Sequence, residues 1–187
     1  MKETRFGRII AGKYKGKKFP LPVDSSIRPT TDRVKESIFN ILQHTYKNNL
    51  VGGNILDLFA GSGALGLECI SRGANHVTFI DNNKNVISNI KKIIDSLSCD
   101  ASVVCIKSDS LKLDLSSSKN KFSLVFLDPP YETDLVTESL LLLINQNIFS
   151  DNCIFVIESS KDLNIDYLEL KQTKILGSTI IKIYQLK

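Results

Sequence analysis

The sequence has no tryptophan, one methionine, two histidines and four cysteines among its 187 residues. The cysteines, at positions 69, 99, 105 and 153, form no Cys-x-x-Cys pair and stand far from both histidines. Neither a zinc module nor a disulfide framework is therefore indicated, and we expect no bound metal. Long apolar runs are also missing, since none approaches the roughly 18 residues of a membrane span. With no secretory signal at the amino terminus, the sequence predicts a cytoplasmic protein without membrane contact.

Acidic residues are scarce in the first part of the chain. Residues 1–50 hold 11 Lys and Arg against 4 Asp and Glu, whereas the remainder holds 13 against 16. Such an asymmetry is typical of a protein in which one segment contacts a polyanion and another does separate work. We therefore predict a basic substrate-binding appendage over residues 1–50 and a second unit over 51–187.

The appendage is predicted to contain a hairpin and a helix. Two short extended runs flank Gly12 within residues 8–19, and prolines keep the following chain extended. Thr31 and Asp32 then offer an N-cap and a first-turn acid for a helix that ends near Tyr46. Nucleic-acid contacts are expected here, with Tyr14 or Phe19 available for stacking. The predicted contact residues are Arg8, Lys13, Tyr14, Lys15, Lys17, Lys18, Arg33 and Lys35.

The second unit alternates short apolar runs with helical patterns. Strands are expected at 55–59, 77–80, 103–106, 122–127 and 153–157, and helices at 65–71, 86–97 and 135–144. This alternation predicts an α/β, Rossmann-like fold with a mainly parallel sheet of seven strands. The last two runs, 170–176 and 179–184, have no helix between them and predict an antiparallel hairpin at the sheet edge.

A glycine motif follows the first strand of this unit. The sequence Gly61-Ser62-Gly63-Ala64-Leu65-Gly66 ends a strand and opens a helix, and Asp81, 20 residues beyond Gly61, is placed to accept both hydroxyls of a ribose. The motif predicts an adenosine-containing cofactor and does not by itself separate a nicotinamide dinucleotide from S-adenosylmethionine. Asp57 favours S-adenosylmethionine, because an acid before the loop would repel a pyrophosphate but suits an ammonium group. The predicted cofactor contacts are Asp57, Phe59, Ala60, Gly61, Ser62, Gly63, Asp81, Asn82, Asp109 and Ser110.

A second motif, Asp128-Pro129-Pro130-Tyr131, directly follows an apolar strand. The lone pair of an exocyclic amine is delocalised into its base, so the amine is a poor nucleophile. Asp128 and the Pro129 carbonyl are predicted to accept its N–H groups and direct the lone pair toward a methyl donor, while Tyr131 stacks on the extruded base. All four residues are predicted to be catalytic. Glu158 ends a neighbouring strand, and the sequence assigns it no role.

These motifs resemble those of the RsmD family, the bacterial small-subunit rRNA guanine-N2 methyltransferases. The resemblance covers nearly the whole chain and is specific at residues 8–17, 28–40, 56–68 and 128–131. It implies a class I S-adenosylmethionine-dependent methyltransferase that modifies N2 of guanine 966 in 16S rRNA. It also implies a substrate in the form of an assembled or assembling small ribosomal subunit.

Three other interpretations are open to the sequence. A DNA adenine-N6 methyltransferase uses the same catalytic turn, but duplex reading normally requires a larger recognition domain than residues 1–50. A non-catalytic ribosome assembly factor would have no need of an intact catalytic turn. A nicotinamide oxidoreductase has no use for the proline turn and would place Asp57 against the pyrophosphate. Composition and motifs favour a monomer.

Overall fold

The amino-terminal segment forms the predicted hairpin and helix. The computed structural model describes residues 5–22, 30–99, 101–118, 120–129 and 134–187. Strands β1 (Phe6–Arg8) and β2 (Lys18–Pro20) pair antiparallel, and helix α1 (Asp32–Thr45) is followed by the single turn α2 (Lys47–Leu50). Thr31 caps α1, its side chain accepting the Val34 N–H at 3.3 Å. The predicted start of this helix is confirmed, and its end, predicted near Tyr46, lies at Thr45 with Tyr46 as the C-cap.

The rest of the chain alternates strand and helix and then ends in strands. Its elements are β3 (Asn54–Asp57), α3 (Ala64–Ser71), β4 (His76–Asp81), α4 (Lys84–Leu97), β5 (Ser102–Lys107), β6 (Phe122–Leu127), α5 (Asp134–Ile144), β7 (Phe149–Ser159), β8 (Leu168–Leu176) and β9 (Thr179–Leu186). A short 3₁₀ turn at Ser110–Lys112 was not predicted.

The large sheet has seven strands in the order β5-β4-β3-β6-β7-β9-β8. The first five of these positions pair parallel, and β9 pairs antiparallel with both β7 and β8. This confirms the mainly parallel sheet with an antiparallel hairpin at one edge. The carboxyl ends of β3 and β4 therefore lie on the same sheet edge as that of β6, which is where open α/β sheets bind ligands.

Two hydrophobic layers hold helices on the two faces of the sheet. Alternate residues of each strand face opposite layers, as the period of a strand requires. On one face the strands pack against apolar residues of α1, α3 and α4, and on the other they pack against α5. The first layer also holds Ile9 and Phe19 of the hairpin, so the appendage and the sheet share a core.

The hairpin is fixed to α3 by polar contacts as well. The Tyr14 N–H donates to the Ser71 hydroxyl at 2.9 Å, and the Ile10 N–H donates to a carboxylate oxygen of buried Glu68 at 2.5 Å. Gly12 has φ +80°, and a Cβ there would lie 1.9 Å from the Ser71 carbonyl oxygen. Only glycine permits this close approach. Gly12 therefore both forms the turn of the hairpin and allows the hairpin to pack against α3.

None of the helices in the described parts of the chain combines the length and the apolar character that crossing a membrane would require.

Candidate active site

A cavity of about 830 Å³ opens at the carboxyl edge of the sheet. Its walls come from the ends of β3, β4, β6 and β7, from the segment that follows β5, and from the start of α1. Nine of the ten residues predicted to bind the cofactor line it: Asp57, Phe59, Ala60, Gly61, Ser62, Asp81, Asn82, Asp109 and Ser110. The topology thus brings together residues that are up to 53 positions apart in the sequence.

Gly63 is the one predicted cofactor residue that is absent from the cavity wall. It lies at the start of α3 with φ +76°, a conformation in which an L side chain is strained. Its role in the structure is to turn the chain from β3 into α3. Gly66 serves packing in the same motif, since a Cβ there would lie 2.2 Å from the ring of Phe79 on β4.

Two carboxylates accept hydrogen bonds from backbone N–H groups of the glycine motif. The Asp57 side chain accepts the Gly66 N–H at 3.0 Å, and the Asp81 side chain accepts the Gly61 N–H at 3.0 Å with one oxygen and the Asn83 N–H at 2.8 Å with the other. Burial raises the pKa of Asp57 to about 7, with a smaller contribution from the nearby charge of Asp81. A carboxylate has about four lone-pair sites, so Asp81 retains acceptor capacity toward a ribose while it shapes the loop.

Asp109 and Ser110 follow β5 and form part of the same wall. Asp109 is exposed and caps the 3₁₀ turn, its side chain accepting the Leu111 N–H at 3.0 Å. The hydroxyl of Ser110 is buried and accepts a hydrogen bond from Ser139 on α5 at 2.9 Å. Asp109 can therefore accept a hydrogen bond from an adenine amino group, whereas the Ser110 hydroxyl is already bonded to Ser139.

Asp128 lines the cavity at the end of β6, and Glu158 lines it at the end of β7. Burial raises the pKa of the Asp128 carboxyl well above its ordinary value, and the charges of Glu158 and Asp57 raise it further. A hydrogen bond from Thr30 acts in the opposite sense. Thr30 precedes α1 and was not predicted as a site residue, because only the three-dimensional fold places it beside Asp128.

The catalytic turn is described in part. Pro129 lines the cavity beside Asp128, whereas the predicted residues Pro130 and Tyr131 lie outside the described residues. The sequence also missed the turn between β8 and β9. Leu176, Gly177, Ser178 and Thr179 reach the cavity wall.

The predicted nucleic-acid contacts divide into exposed and buried residues. The exposed ones are Arg8, Lys13, Lys15, Lys17, Lys18 and Arg33, and Arg33 also lines the cavity. Tyr14 is only 8% exposed, and the Phe19 ring is buried as well, so neither is available for stacking on a base.

Lys35 is also buried, at 2% exposure. Its ammonium donates to the Arg8 carbonyl at 2.6 Å and lies 3.1 Å from an Asp32 carboxylate oxygen and 3.9 Å from one of Glu68. The prediction that Tyr14 and Lys35 contact RNA directly is therefore wrong. Lys35 instead connects α1 to the hairpin and to Glu68 of α3 through its ammonium, and Tyr14 connects the hairpin to α3 through its backbone N–H.

The electrostatics of the cavity select among cofactors. Among the described residues, five acidic side chains line it against one cationic side chain, that of Arg33. A pyrophosphate would be repelled there, whereas a ligand that carries an ammonium and a sulfonium would be attracted. The residues present therefore fit S-adenosylmethionine, which supplies an electrophilic methyl group when bound. No group of three or more His, Cys, Asp or Glu suited to a metal ion occurs among the described residues.

The strand order, the glycine loop and the acidic cavity together define a class I S-adenosylmethionine-dependent methyltransferase. Comparison with known proteins agrees with this class. The family model described as conserved hypothetical protein 95 matches residues 7–185, and the chain belongs to this family, that of the RsmD methyltransferases.

Individual relatives cover almost the whole chain. The Haemophilus influenzae protein named Ribosomal RNA small subunit methyltransferase D is 35% identical over 95% of this chain and 93% of its own length. A solved structure named putative methyltransferase yhhF, from Escherichia coli, has a TM-score of 0.83 at 31% identity and covers 98% of this chain and 99% of that one. A Thermus thermophilus 16S rRNA N2 G1207 methyltransferase (RsmC), solved with AdoMet and guanosine, has a TM-score of 0.70 at 17% identity, covering 99% of this chain and 50% of that one. The last comparison shows a shared fold.

Proposed function

We propose that this protein transfers a methyl group from S-adenosylmethionine to the exocyclic N2 of guanine 966 in 16S rRNA of the small ribosomal subunit. The observation that carries the proposal is the position of Asp128, at the end of β6 in the same cavity as the glycine loop and Asp57. A methyl acceptor held by Asp128 would share one enclosed space with the cofactor. The name of the H. influenzae relative supports rRNA as the substrate, and the family resemblance of the motifs supports N2 of guanine 966.

Asp128 and Pro129 act on the acceptor amine. Their carboxylate and carbonyl oxygens accept its two N–H groups, which draws nitrogen toward a tetrahedral geometry and frees its lone pair for an in-line attack. Burial raises the pKa of the Asp128 carboxyl, with a further contribution from the charge of Glu158, so its ionised form is a stronger base for the proton that leaves nitrogen during transfer. In this proposal Tyr131 holds the flipped base by stacking.

The cofactor contacts follow from the cavity wall. Asp57 would face the ammonium of the methionine moiety, Asp81 the ribose hydroxyls and Asp109 the adenine amino group. Phe59, Ala60, Gly61 and Ser62 of the loop would contact the cofactor, as would Asn82 and Ser110, since all of them line the cavity. Gly63 contributes by shaping that loop.

The RNA surface in the proposal is the exposed cationic side of the hairpin. Lys13, Lys15, Lys17 and Lys18 are exposed there, as is Arg8, and the exposed Arg33 lines the cavity. Residues 1–50 thus serve as the substrate-binding appendage and 51–187 as the methyltransferase unit, although they share one core. We propose that the enzyme works in the cytoplasm, where ribosomal subunits are assembled, as a monomer without a metal ion.

The test is transfer of tritium from labelled S-adenosylmethionine to small subunits purified from cells that lack this protein. We expect label on the subunit, mapped to N2 of guanine 966, and a loss of at least about a hundredfold in kcat for Asp128→Asn. Cofactor binding by this variant should persist, measured by calorimetry. Asp95→Asn, an exposed carboxylate on α4, is the matched control. An active Asp128→Asn variant, or label on duplex DNA adenine instead of rRNA, would overturn the proposal.

A further inference from the structure

A second cavity, of about 410 Å³, lies between the hairpin and the start of α1. Phe6, Arg8 and Lys18 of the hairpin contribute to its wall, as do Asp32 and Lys35 of α1. Four residues, Thr30, Thr31, Ser62 and Ala64, line both this cavity and the larger one. The two cavities are therefore neighbours that meet beside the glycine loop.

The charges of the two cavities are opposite in sign. Counting the residues that the structure describes, the larger cavity is lined by five acids and one cation, whereas the second is lined by Arg8, Lys18 and Lys35 against the acid Asp32. Asp32 is already paired, lying 2.6 Å from Arg8 Nε and 3.1 Å from Lys35 Nζ. A phosphate group would be repelled by the first cavity and attracted by the second.

The second cavity also presents an aromatic ring to solvent. Phe6 is 59% exposed, whereas the neighbouring Phe19 is 3% exposed. Backbone pairing across the hairpin sets Phe6 opposite Pro20 and Gly7 opposite Phe19. Because a Cβ on Gly7 would lie 2.6 Å from the Phe19 ring, the two strands are packed closely next to Phe6.

We propose that the second cavity binds the nucleotide next to the target guanine in the RNA chain, with its base stacked on Phe6 and its phosphate on Arg8 and Lys18. This subsite rests on the proposed function, since it needs an RNA substrate whose target base occupies the larger cavity. An exposed aromatic ring beside cations is the combination that holds single-stranded nucleic acid, because the ring takes the base and the cations take the phosphate. The shared wall of the two cavities is what permits adjoining nucleotides to occupy them together.

Steady-state methylation of small subunits tests the base contact. We expect Phe6→Ala to raise KM for the subunit about tenfold, since stacking on an aromatic residue contributes about 1–3 kcal/mol per base. The kcat and the Kd for S-adenosylmethionine should stay at the wild-type values. The Phe6→Tyr variant keeps an aromatic ring and should have the wild-type KM. Ile175→Ala, which removes another exposed apolar side chain, on β8, is the control.

The salt dependence of KM tests the phosphate contact separately. Lys18→Gln should lower the slope of log KM against log salt by about 0.7 to 0.9, the amount expected for one lost phosphate contact, whereas Phe6→Ala should leave the slope unchanged. Lys174→Gln on β8 is the matched charge control.

The subsite and the proposed function can be overturned by different results. If the wild-type protein methylates the subunit and Phe6→Ala has an unchanged KM, the subsite is overturned and the proposed function stands. If the wild-type protein transfers no label to rRNA, both are overturned. If the KM of Phe6→Tyr is raised as much as that of Phe6→Ala, the stacking contact is also contradicted, because the result would indicate a general disturbance of the hairpin.

Discussion

Cofactor binding should depend on pH through Asp57. The Asp57 carboxyl is 3% exposed, and its pKa is raised to about 7 by burial, helped by the charge of Asp81. Below that pKa the protein without cofactor holds Asp57 protonated, and a neutral carboxyl gives a cofactor ammonium little attraction. Binding of the ammonium favours the carboxylate, so it must displace the proton.

The size of the effect follows from the pKa. If binding lowers the Asp57 pKa back toward its ordinary range, the Kd for S-adenosylmethionine should be about 15-fold weaker near pH 5.5 than near pH 7.0. At about pH 6, roughly 0.9 proton should leave for each cofactor bound. The measurement stays at or below about pH 7, because an α-amino group has an ordinary pKa of about 7.7–8.0 and would begin to lose its own charge above it.

The raised pKa of Asp57 also makes the stability of the fold depend on pH. Ionising a buried carboxyl is unfavourable in the folded state, so the contribution of Asp57 to folding is lost as pH rises from about 4 toward 7, by about 4 kcal/mol in total. Asp57→Asn cannot ionise and keeps an oxygen that can accept the Gly66 N–H. We expect this variant to lack both the pH dependence of cofactor binding and this fall in stability.

Isothermal titration calorimetry measures the Kd for S-adenosylmethionine and the number of protons that binding releases. Titrations with S-adenosylmethionine in two buffers of different ionisation enthalpy give the Kd and the number of protons released. Asp57→Asn should show a weaker Kd that is nearly independent of pH. A wild-type Kd that stays constant over this range, or an equal pH dependence in Asp57→Asn, would refute the assignment of Asp57 to the cofactor ammonium.

Two further substitutions test packing and charge. Gly66→Ala should lower the free energy of unfolding by about 1–3 kcal/mol in urea titrations, because its Cβ would lie 2.2 Å from the buried Phe79 ring and force a shift in the core. The double charge reversal Lys15→Glu and Lys17→Glu should raise KM for the small subunit and lower the slope of log KM against log salt by about 1.5, for two lost phosphate contacts.

Each of these substitutions has a control in the same chain. Ser88→Ala, at an exposed position of α4, should change stability by less than about 0.5 kcal/mol. Lys174→Glu on β8 should leave the salt slope unchanged. If Gly66→Ala keeps the wild-type free energy of unfolding, the contact between α3 and β4 is looser than the structure indicates. If the lysine double variant keeps the wild-type slope of log KM against log salt, the hairpin is not part of the RNA surface.

Local signals carried most of the fold prediction. Thr31 and Asp32 marked the start of α1, and Gly12 marked the hairpin, because caps and tight turns are specified by residues close in sequence. The glycine motif and the apolar strands likewise located most of the cavity wall. The order of the last two strands in the sheet depends on contacts between distant segments, which short-range patterns do not report.

Side-chain direction explains the wrong prediction for Lys35. Lys35 was grouped with the exposed lysines by charge, yet it lies four residues before Phe39 and seven before Leu42, on the apolar stripe of α1. That spacing is a signal for burial that the charge count hides. Thr30 gave no comparable signal, since its contact with Asp128 joins the start of α1 to the end of β6.

The placement of β9 has a consequence for the order in which this protein can mature during synthesis. β9 is the last strand along the sequence but lies inside the sheet, between β7 and β8. Until it is made, β7 presents an unpaired edge and β8 has no neighbour in the sheet. The wall that carries Glu158 and the Gly177 turn is therefore completed only after translation of the final strand, and a nascent chain stalled before it would expose an edge open to aggregation.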